Sequence, residues 1–263
     1  MVIAPGDGMK AEELMSITES IECPALLLVH GWGGDGGEWE PHRRLWAGRT
    51  VLAPDLPGHG RAPAGPDLSP RAMATGLADF LVRRDTGPVV AVGHSMGGQV
   101  VTALAVEHPH LVRALVVLDP AYGATAAELR RLSTEQQALR AAGTAWAACF
   151  IEGSFGPAMP PAARTRHAEV IAGSDAEVLA RCREALYLSP DAFGPRPAAR
   201  RYLARRPHPV LAVYSNEPAA AWERTADSPT GSRTVVWPDC GHYLHEERPA
   251  DLVALIDGWT AGW

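Results

Sequence analysis

The chain is expected to fold as an α/β protein, with a mostly parallel sheet covered by helices on both faces and a helical insertion. Three observations point there. Short apolar runs alternate with helical stretches in the first half of the chain. The runs are apolar throughout, as strands buried on both faces require. A long middle stretch shows helical periodicity and no convincing strand.

The first run, Ala25–Val29 (ALLLV), ends in His30-Gly31, and the second, Thr50–Ala53, ends in Pro54-Asp55. Val89–Val92 stops at Gly93-His94-Ser95, and Leu115–Leu118 stops at Asp119-Pro120. Pro209–Tyr214 and Thr234–Trp237 supply two more strands. Between them, Leu68–Arg84 reads as a helix because Ser69 can cap it and Pro70 suits its first turn. Met96–Glu107 is an apolar helix that stops before Pro109, and Leu252–Trp259 closes the chain. Residues 122–205 form the insertion, with Ala126–Ala142 and Ala176–Leu188 as its clearest helices. Gly143, Gly156-Pro157, Pro160-Pro161, Gly173 and Pro195-Arg196-Pro197 divide it. The expected organisation is therefore a core of residues 1–121 and 206–263 interrupted by one helical unit.

Composition excludes several classes of function. A chain of 263 residues with 46% hydrophobic and 21% charged residues can bury a full core. Its net charge of −6, with short and separated arginine pairs, argues against a nucleic-acid partner. No apolar stretch approaches the roughly 20 residues that span a bilayer. Met1–Glu13 lacks the basic start and apolar run of a leader, so a soluble, cytoplasmic protein is expected. Cys23, Cys149, Cys182 and Cys240 are scattered without metal-like spacing and read as small buried thiols.

Gly93-His94-Ser95-Met96-Gly97 fits Gly-x-Ser-x-Gly, and a buried strand before it and an apolar helix after it give the match its weight. Such a tight strand-to-helix turn lifts a serine above the sheet as a nucleophile, and bulk at Gly93 or Gly97 would collide with neighbouring backbone. His30-Gly31-Trp32-Gly33-Gly34 follows the first strand, where backbone N–H groups can approach a substrate oxygen. The N–H groups of Trp32 and Met96 are the candidate oxyanion hole. The loop lacks the Lys-Ser/Thr ending of a phosphate-binding loop, and His30 is read as bracing it. His242 stands beyond the last strand, in the position of a general base for Ser95. His94 should point away from the nucleophile, and His245 should sit on a helix-entry turn.

His30-Gly31-x-x-Gly34 with Trp39, Asp55-Leu56-Pro57-Gly58-His59-Gly60, Gly93-His94-Ser95-Met96-Gly97-Gly98 and Gly241-His242-x4-Glu247-Arg248-Pro249 together resemble the signature segments of the α/β-hydrolase superfamily. The resemblance spans roughly residues 21–263. It implies the α/β-hydrolase fold, with residues 122–205 as a helical cap, and an activity among esterases, lactonases, thioesterases, C–C bond hydrolases and cofactor-free haloperoxidases.

The third member of the catalytic group departs from that pattern. Most of the family place an Asp after the strand equivalent to Pro209–Tyr214, in a pattern close to Gly-x-x-Asp. Here Ser215-Asn216-Glu217-Pro218 puts Pro218 where the Asp is expected. Glu217 is one alternative, and Asp239 another. Asp119 leads, because some members, among them zearalenone lactonases and certain haloalkane dehalogenases, carry their acid at that strand end.

Tyr122, Trp146, Phe150, Phe155, Met159, Tyr187 and Phe193 lie in the insertion, and some are expected to line an apolar pocket with Trp32 and Met96. The expected partner is a small, fairly apolar ester or lactone. Serine acyl transfer calls for no cofactor and no metal. The same residues would also serve a C–C bond hydrolase, a thioesterase or a perhydrolase. The disturbed acid position keeps a non-catalytic ligand-binding protein among the alternatives.

Overall fold

The computed structural model describes residues 23–262. The strands are β1 (Leu26–Val29), β2 (Val51–Leu52), β3 (Val89–His94), β4 (Val112–Leu118), β5 (Val210–Tyr214) and β6 (Arg233–Val236). They form one sheet in the order β2-β1-β3-β4-β5-β6, and every neighbouring pair is parallel. The helices of the core are α1 (Glu40–Leu45), α2 (Pro70–Arg84) and α3 (Met96–Glu107). Between β4 and β5 come α4 (Ala126–Ala142), α5 (Thr144–Glu152), α6 (Pro161–Ala172), α7 (Ala176–Tyr187) and α8 (Arg196–Leu203). α9 (Glu217–Glu223), α10 (Leu244–Glu247) and α11 (Pro249–Thr260) complete the chain.

The continuous apolar runs bury both faces of the sheet. Leu27, Val29, Ala91, Leu115, Val117 and Ala212 turn to one side, against Leu77 of α2 and Val100 and Leu104 of α3. Leu26, Leu28, Val90, Val92, Val116 and Leu211 turn to the other, against Trp39, Leu252, Ile256 and Trp259. The period of 2 along each strand sorts the side chains between the two cores. Each fully buried Leu or Val contributes about 1.5–3 kcal/mol, so these runs dominate the stability of the sheet.

The strands differ from expectation mainly at their ends. β2 is shorter than Thr50–Ala53, as befits a half-buried edge. β4 begins three residues early, at Val112, because exposed Arg113 interrupts its apolar run. Ser69 caps α2 as expected, accepting from the N–H of Ala72. Cys182 is buried as expected, but Cys23 and Cys149 are exposed. Met1–Glu13, read as lacking a leader, lies outside the described residues. Among the described residues no helix is long and apolar enough to cross a membrane.

The topology selects the place for a site. The chain leaves β1 for β2 on one side and returns to β3 on the other. In parallel sheets, ligands bind beyond the carboxyl ends of the strands at such a reversal. The loop His30–Gly34 follows β1 and Ser95 follows β3, so both stand there.

Candidate active site

Ser95 sits between β3 and α3 with φ 51° and ψ −114°. A non-glycine residue in the left-handed half of the map is strained, and surrounding bonds must hold it there. Its N–H donates to Leu118 O (2.9 Å), and its carbonyl accepts from Gly98 N (3.0 Å) and Ala121 N (2.9 Å). The neighbouring glycines are sterically required. A Cβ on Gly93 would lie 2.2 Å from Gly97 O, and one on Gly97 would lie 2.3 Å from Val29 O.

Asp119 follows β4 and is likewise held at positive φ, 40°. Its Oδ1 accepts from Ser215 N (2.8 Å), and its Oδ2 accepts from Ser215 Oγ (2.5 Å). The same Oδ2 lies 3.3 Å from His242 Nδ1, and the Asp119 side chain is only 6% exposed. Glu217 does not join this group. It lies in the first turn of α9, which Asn216 caps by accepting from Ala219 N, and its 62% exposed side chain pairs with Arg224. The helix that begins at Asn216 turns Glu217 outward. Asp239 forms no ion pair with His242 among the described residues.

His242 is held at its backbone on both sides. Its N–H donates to Ser154 O (2.9 Å), and its carbonyl accepts from His94 Nε2 (3.0 Å). His94 is fully buried and turned away from the cavity, as expected, but it supports the histidine loop from below. Glu247 Oε1 accepts from both Gly241 N (2.9 Å) and Gly156 N (3.0 Å), joining that loop to the α5–α6 connection.

The loop after β1 closes on the serine. A Cβ on Gly31 would stand 2.8 Å from His94 Nδ1 and 3.3 Å from Ser95 Cβ, so a side chain there would collide with the buried ring and crowd the serine. His30 braces the turn: its Nε2 accepts from Leu56 N (2.9 Å) while Nδ1 faces Gly31 O (2.8 Å). Burial pushes its pKa down to about 4, which keeps the ring neutral for that acceptor role. Trp32 Nε1 donates to Leu179 O (2.8 Å), tying the loop to α7. Met96 opens α3, where helix N–H groups have no partner within the helix.

Ser95, His242, Asp119 and Trp32 line one cavity of about 590 Å³. Of the aromatics expected on its wall, Tyr122, Phe150 and Tyr187 are there. Trp146, Phe155, Met159, Phe193 and the Met96 side chain are not. Trp146 stacks on Phe150 (5.1 Å between centroids), Phe155 packs against Tyr243 (5.1 Å), and Phe193 stacks on Tyr202 (4.1 Å). Met159 and Met96 are buried in the core. These side chains pack within the protein instead of presenting a face to a ligand. The wall is also less apolar than expected, since Glu128, Arg131, Glu135, Arg183 and Arg196 all reach it. Glu128 and Arg131 remain exposed at its rim while Arg183 is buried; arginine and glutamate in an amphipathic helix read as solvent-facing, so no residue pattern distinguishes them.

The model of the alpha/beta hydrolase family matches residues 26–255. The chain belongs to that family. Among curated relatives, a lipase, LipV, of Mycobacterium tuberculosis is 38% identical over 107 residues, 41% of each chain. The (E)-2-((N-methylformamido)methylene)succinate hydrolase of Acinetobacter baylyi is 31% identical over 127 residues, 46% of this chain and 47% of the relative. The matched part thus spans less than half the length of these relatives. Solved structures align over most of their length. An esterase from Thermogutta terrifontis has a TM-score of 0.77 at 24% identity, covering 91% of this chain and 90% of its own. The enol-lactonase of Burkholderia xenovorans also scores 0.77, at 19% identity, covering 91% and 92%. At such identities the likeness shows the fold.

Beneath the site the chain carries a buried cluster that sequence reasoning missed. Glu38, His94 and His245 are fully buried, with Glu38 Oε1 at 3.8 Å from His94 Nδ1 and 3.6 Å from His245 Nε2. Burial, reinforced by the charge of Glu246, pushes Glu38 up to about 8. Burial pushes His245 down to about 3. His167 Nε2 lies 2.5 Å from Glu246 Oε1, and Arg166 pairs with Glu246 (3.3 Å) and Asp35 (3.0 Å). Glu38, His94 and His245, or Glu38, His167 and Glu246, are ligand types for a metal. Ligands about 2.0–2.1 Å from tetrahedral zinc stand about 3.3 Å apart, a little closer than the Glu38 oxygen and the two imidazole nitrogens, and Arg166 already supplies the second set with a cation. Neither set reaches the cavity.

Proposed function

We propose that this hydrolase cleaves a carboxylic ester or lactone of a small molecule by serine acyl transfer, with Ser95, His242 and Asp119 as its catalytic residues. The observation that carries the proposal is Asp119 Oδ2 on His242 Nδ1, in one cavity with a serine held at a strained strand-to-helix turn. The carboxylate fixes the imidazole with its proton on Nδ1, leaving Nε2 free as a base. His242 then takes the Ser95 proton as Oγ attacks the carbonyl carbon. The developing oxyanion is received by the N–H groups of Trp32 and Met96. The imidazolium returns its proton to the leaving oxygen, and the acyl-enzyme forms. Water, deprotonated by the same histidine, attacks the acyl carbon and releases the acid, restoring Ser95 Oγ–H. Esterase, lactonase and lipase relatives support this reaction class.

Residues 122–205 act in this reading as the cap. Phe150, Ile151, Leu186 and Tyr187 from the insertion supply apolar wall opposite the catalytic group. A panel of p-nitrophenyl esters and γ- and δ-lactones tests the proposal. Turnover is expected with wild type and is lost to background in Ser95→Ala. Equal turnover by the variant would overturn it.

A further inference from the structure

We propose that the substrate carries a free carboxylate, bound by Arg196 on the cavity wall; this rests on the reading of the cavity as an ester or lactone site. Beyond the catalytic group the lining includes Arg131, Arg183 and Arg196 with Glu128 and Glu135. With Asp119 the lining carries three carboxylates and three arginines, so what each arginine is paired with decides where an anion can bind.

The three arginines are not equivalent. Arg131 Nε lies 3.2 Å from Glu135 Oε1, and Arg183 pairs with the other oxygen of the same carboxylate. Arg183 is also covered by the rings of Trp146 (5.0 Å) and Phe150 (4.8 Å). The charge of each is already paired with Glu135, although Arg183 Nη1 is buried without a hydrogen-bond partner. Arg196 has no carboxylate within 4.0 Å among the described residues. Its Nε donates to Gly123 O (3.1 Å), its Cζ lies 5.4 Å from the centre of the Trp222 ring, and its backbone N–H donates to Ala124 O (2.8 Å). The guanidinium is therefore held at one edge and over one ring, while its terminal nitrogens have no hydrogen-bond acceptor among the described residues.

A planar fork fixed in this way matches a carboxylate and loses little freedom on binding it. Glu128, the other charged group near Arg196, is occupied: its Oε2 accepts from Thr125 N (2.7 Å) and Thr125 Oγ1 (2.8 Å). Asp119 is likewise occupied by Ser215 and His242. A substrate with its carboxylate on Arg196 places its scissile carbonyl at Ser95 only if the spacer fits, so selectivity should depend on chain length.

Mono-p-nitrophenyl esters of glutarate, adipate and suberate, each paired with its methyl-terminated neutral analogue, test this directly. Wild type is expected to prefer the charged ester at one spacer length. Arg196→Gln should lower kcat/KM for that ester by about 10- to 100-fold more than for its neutral analogue, the range of a charge-assisted hydrogen bond. Arg196→Lys should restore part of the loss. Equal kcat/KM for charged and neutral esters in wild type, or equal losses for both in Arg196→Gln, would overturn the assignment. Calorimetric titration of Ser95→Ala with glutarate, adipate and suberate separates this from the catalytic reading. Binding that Arg196→Gln abolishes supports the anchor even if no ester turns over, and no binding of any of the three overturns it even if esters are hydrolysed.

Discussion

The two walls of the cavity were built in different ways. One is the strand-end wall, where Ser95, Asp119 and the His30–Gly34 loop emerge from β3, β4 and β1. The other is the insertion wall, where α4, α5, α7 and the start of α8 contribute side chains. On the first, position follows from the backbone: a buried strand ends, a turn forces positive φ at Ser95 and Asp119, and the side chain has one direction to go. On the second, position follows from how each helix is rotated and what its neighbours fill. The strand-end wall should therefore respond sharply to single substitutions of chemistry, and the insertion wall to substitutions of packing and charge.

The largest effect belongs to the strand-end wall. Asp119→Asn should lower kcat by about 10⁴-fold, as when an orienting carboxylate is lost. Glu217→Gln should leave it nearly unchanged, because an exposed ion pair contributes about 0–1 kcal/mol. Steady-state kinetics on any turned-over ester decides between them. Equal losses would return the acid to the end of β5.

The junction of core and insertion should show in stability instead. Arg206 and Glu223 are buried and paired at 2.9 Å, and Tyr214 OH donates to the second oxygen of Glu223 (3.0 Å). Removing one partner strands the other charge, so Glu223→Gln should cost about 3–5 kcal/mol in urea unfolding. A smaller effect is expected where Glu247 joins the two walls. Glu247→Ala leaves the N–H groups of Gly241 and Gly156 without their acceptor and should cost about 1–3 kcal/mol. Because the His242 loop is what loosens, kcat should fall more than KM rises, and Glu247→Gln should recover most of it.

These contrasts explain what the sequence made legible. Gly93, Ser95 and Gly97 between a strand and a helix have one sterically allowed arrangement, so the elbow could be read from residue types. The vacancy created by Pro218 pointed to Asp119, whose carboxylate lies on His242. The insertion offered no such constraint. Trp146, Phe155 and Met159 were as apolar as Phe150 and Tyr187, and only three-dimensional packing decides which of them faces a ligand. Arg183 and Arg196 were hidden for the opposite reason, since charge on a helix reads as solvent-facing until the fold encloses it. Glu38 and His245 lie far apart in sequence, and no local pattern joins them.

The buried titratable groups should show in the pH dependence of stability. His30 is pushed down to about 4, and His42, His59 and His245 to about 3, each chiefly by burial. The unfolded chain binds protons at these sites from about pH 6.5 downward while the folded chain does not, so stability is lost as pH falls below that value. Glu38, pushed up to about 8, has the opposite sign: its contribution is present below the unfolded value near 4.5 and is lost progressively as pH rises from there through about 8. The histidines outweigh it below about pH 6.5, so thermal unfolding should be most resistant near that pH and decline toward pH 8. Glu38→Gln should remove the decline between about pH 6.5 and 8 and leave the acid decline in place; a Tm that falls equally over that interval in both proteins would count against the assignment.

The most direct measurement of the central claim is active-site labelling. Wild type treated with a fluorophosphonate and digested should carry one adduct, on the peptide containing Ser95, and His242→Ala should label far more slowly. An unlabelled Ser95, or an adduct on another residue, would contradict the account.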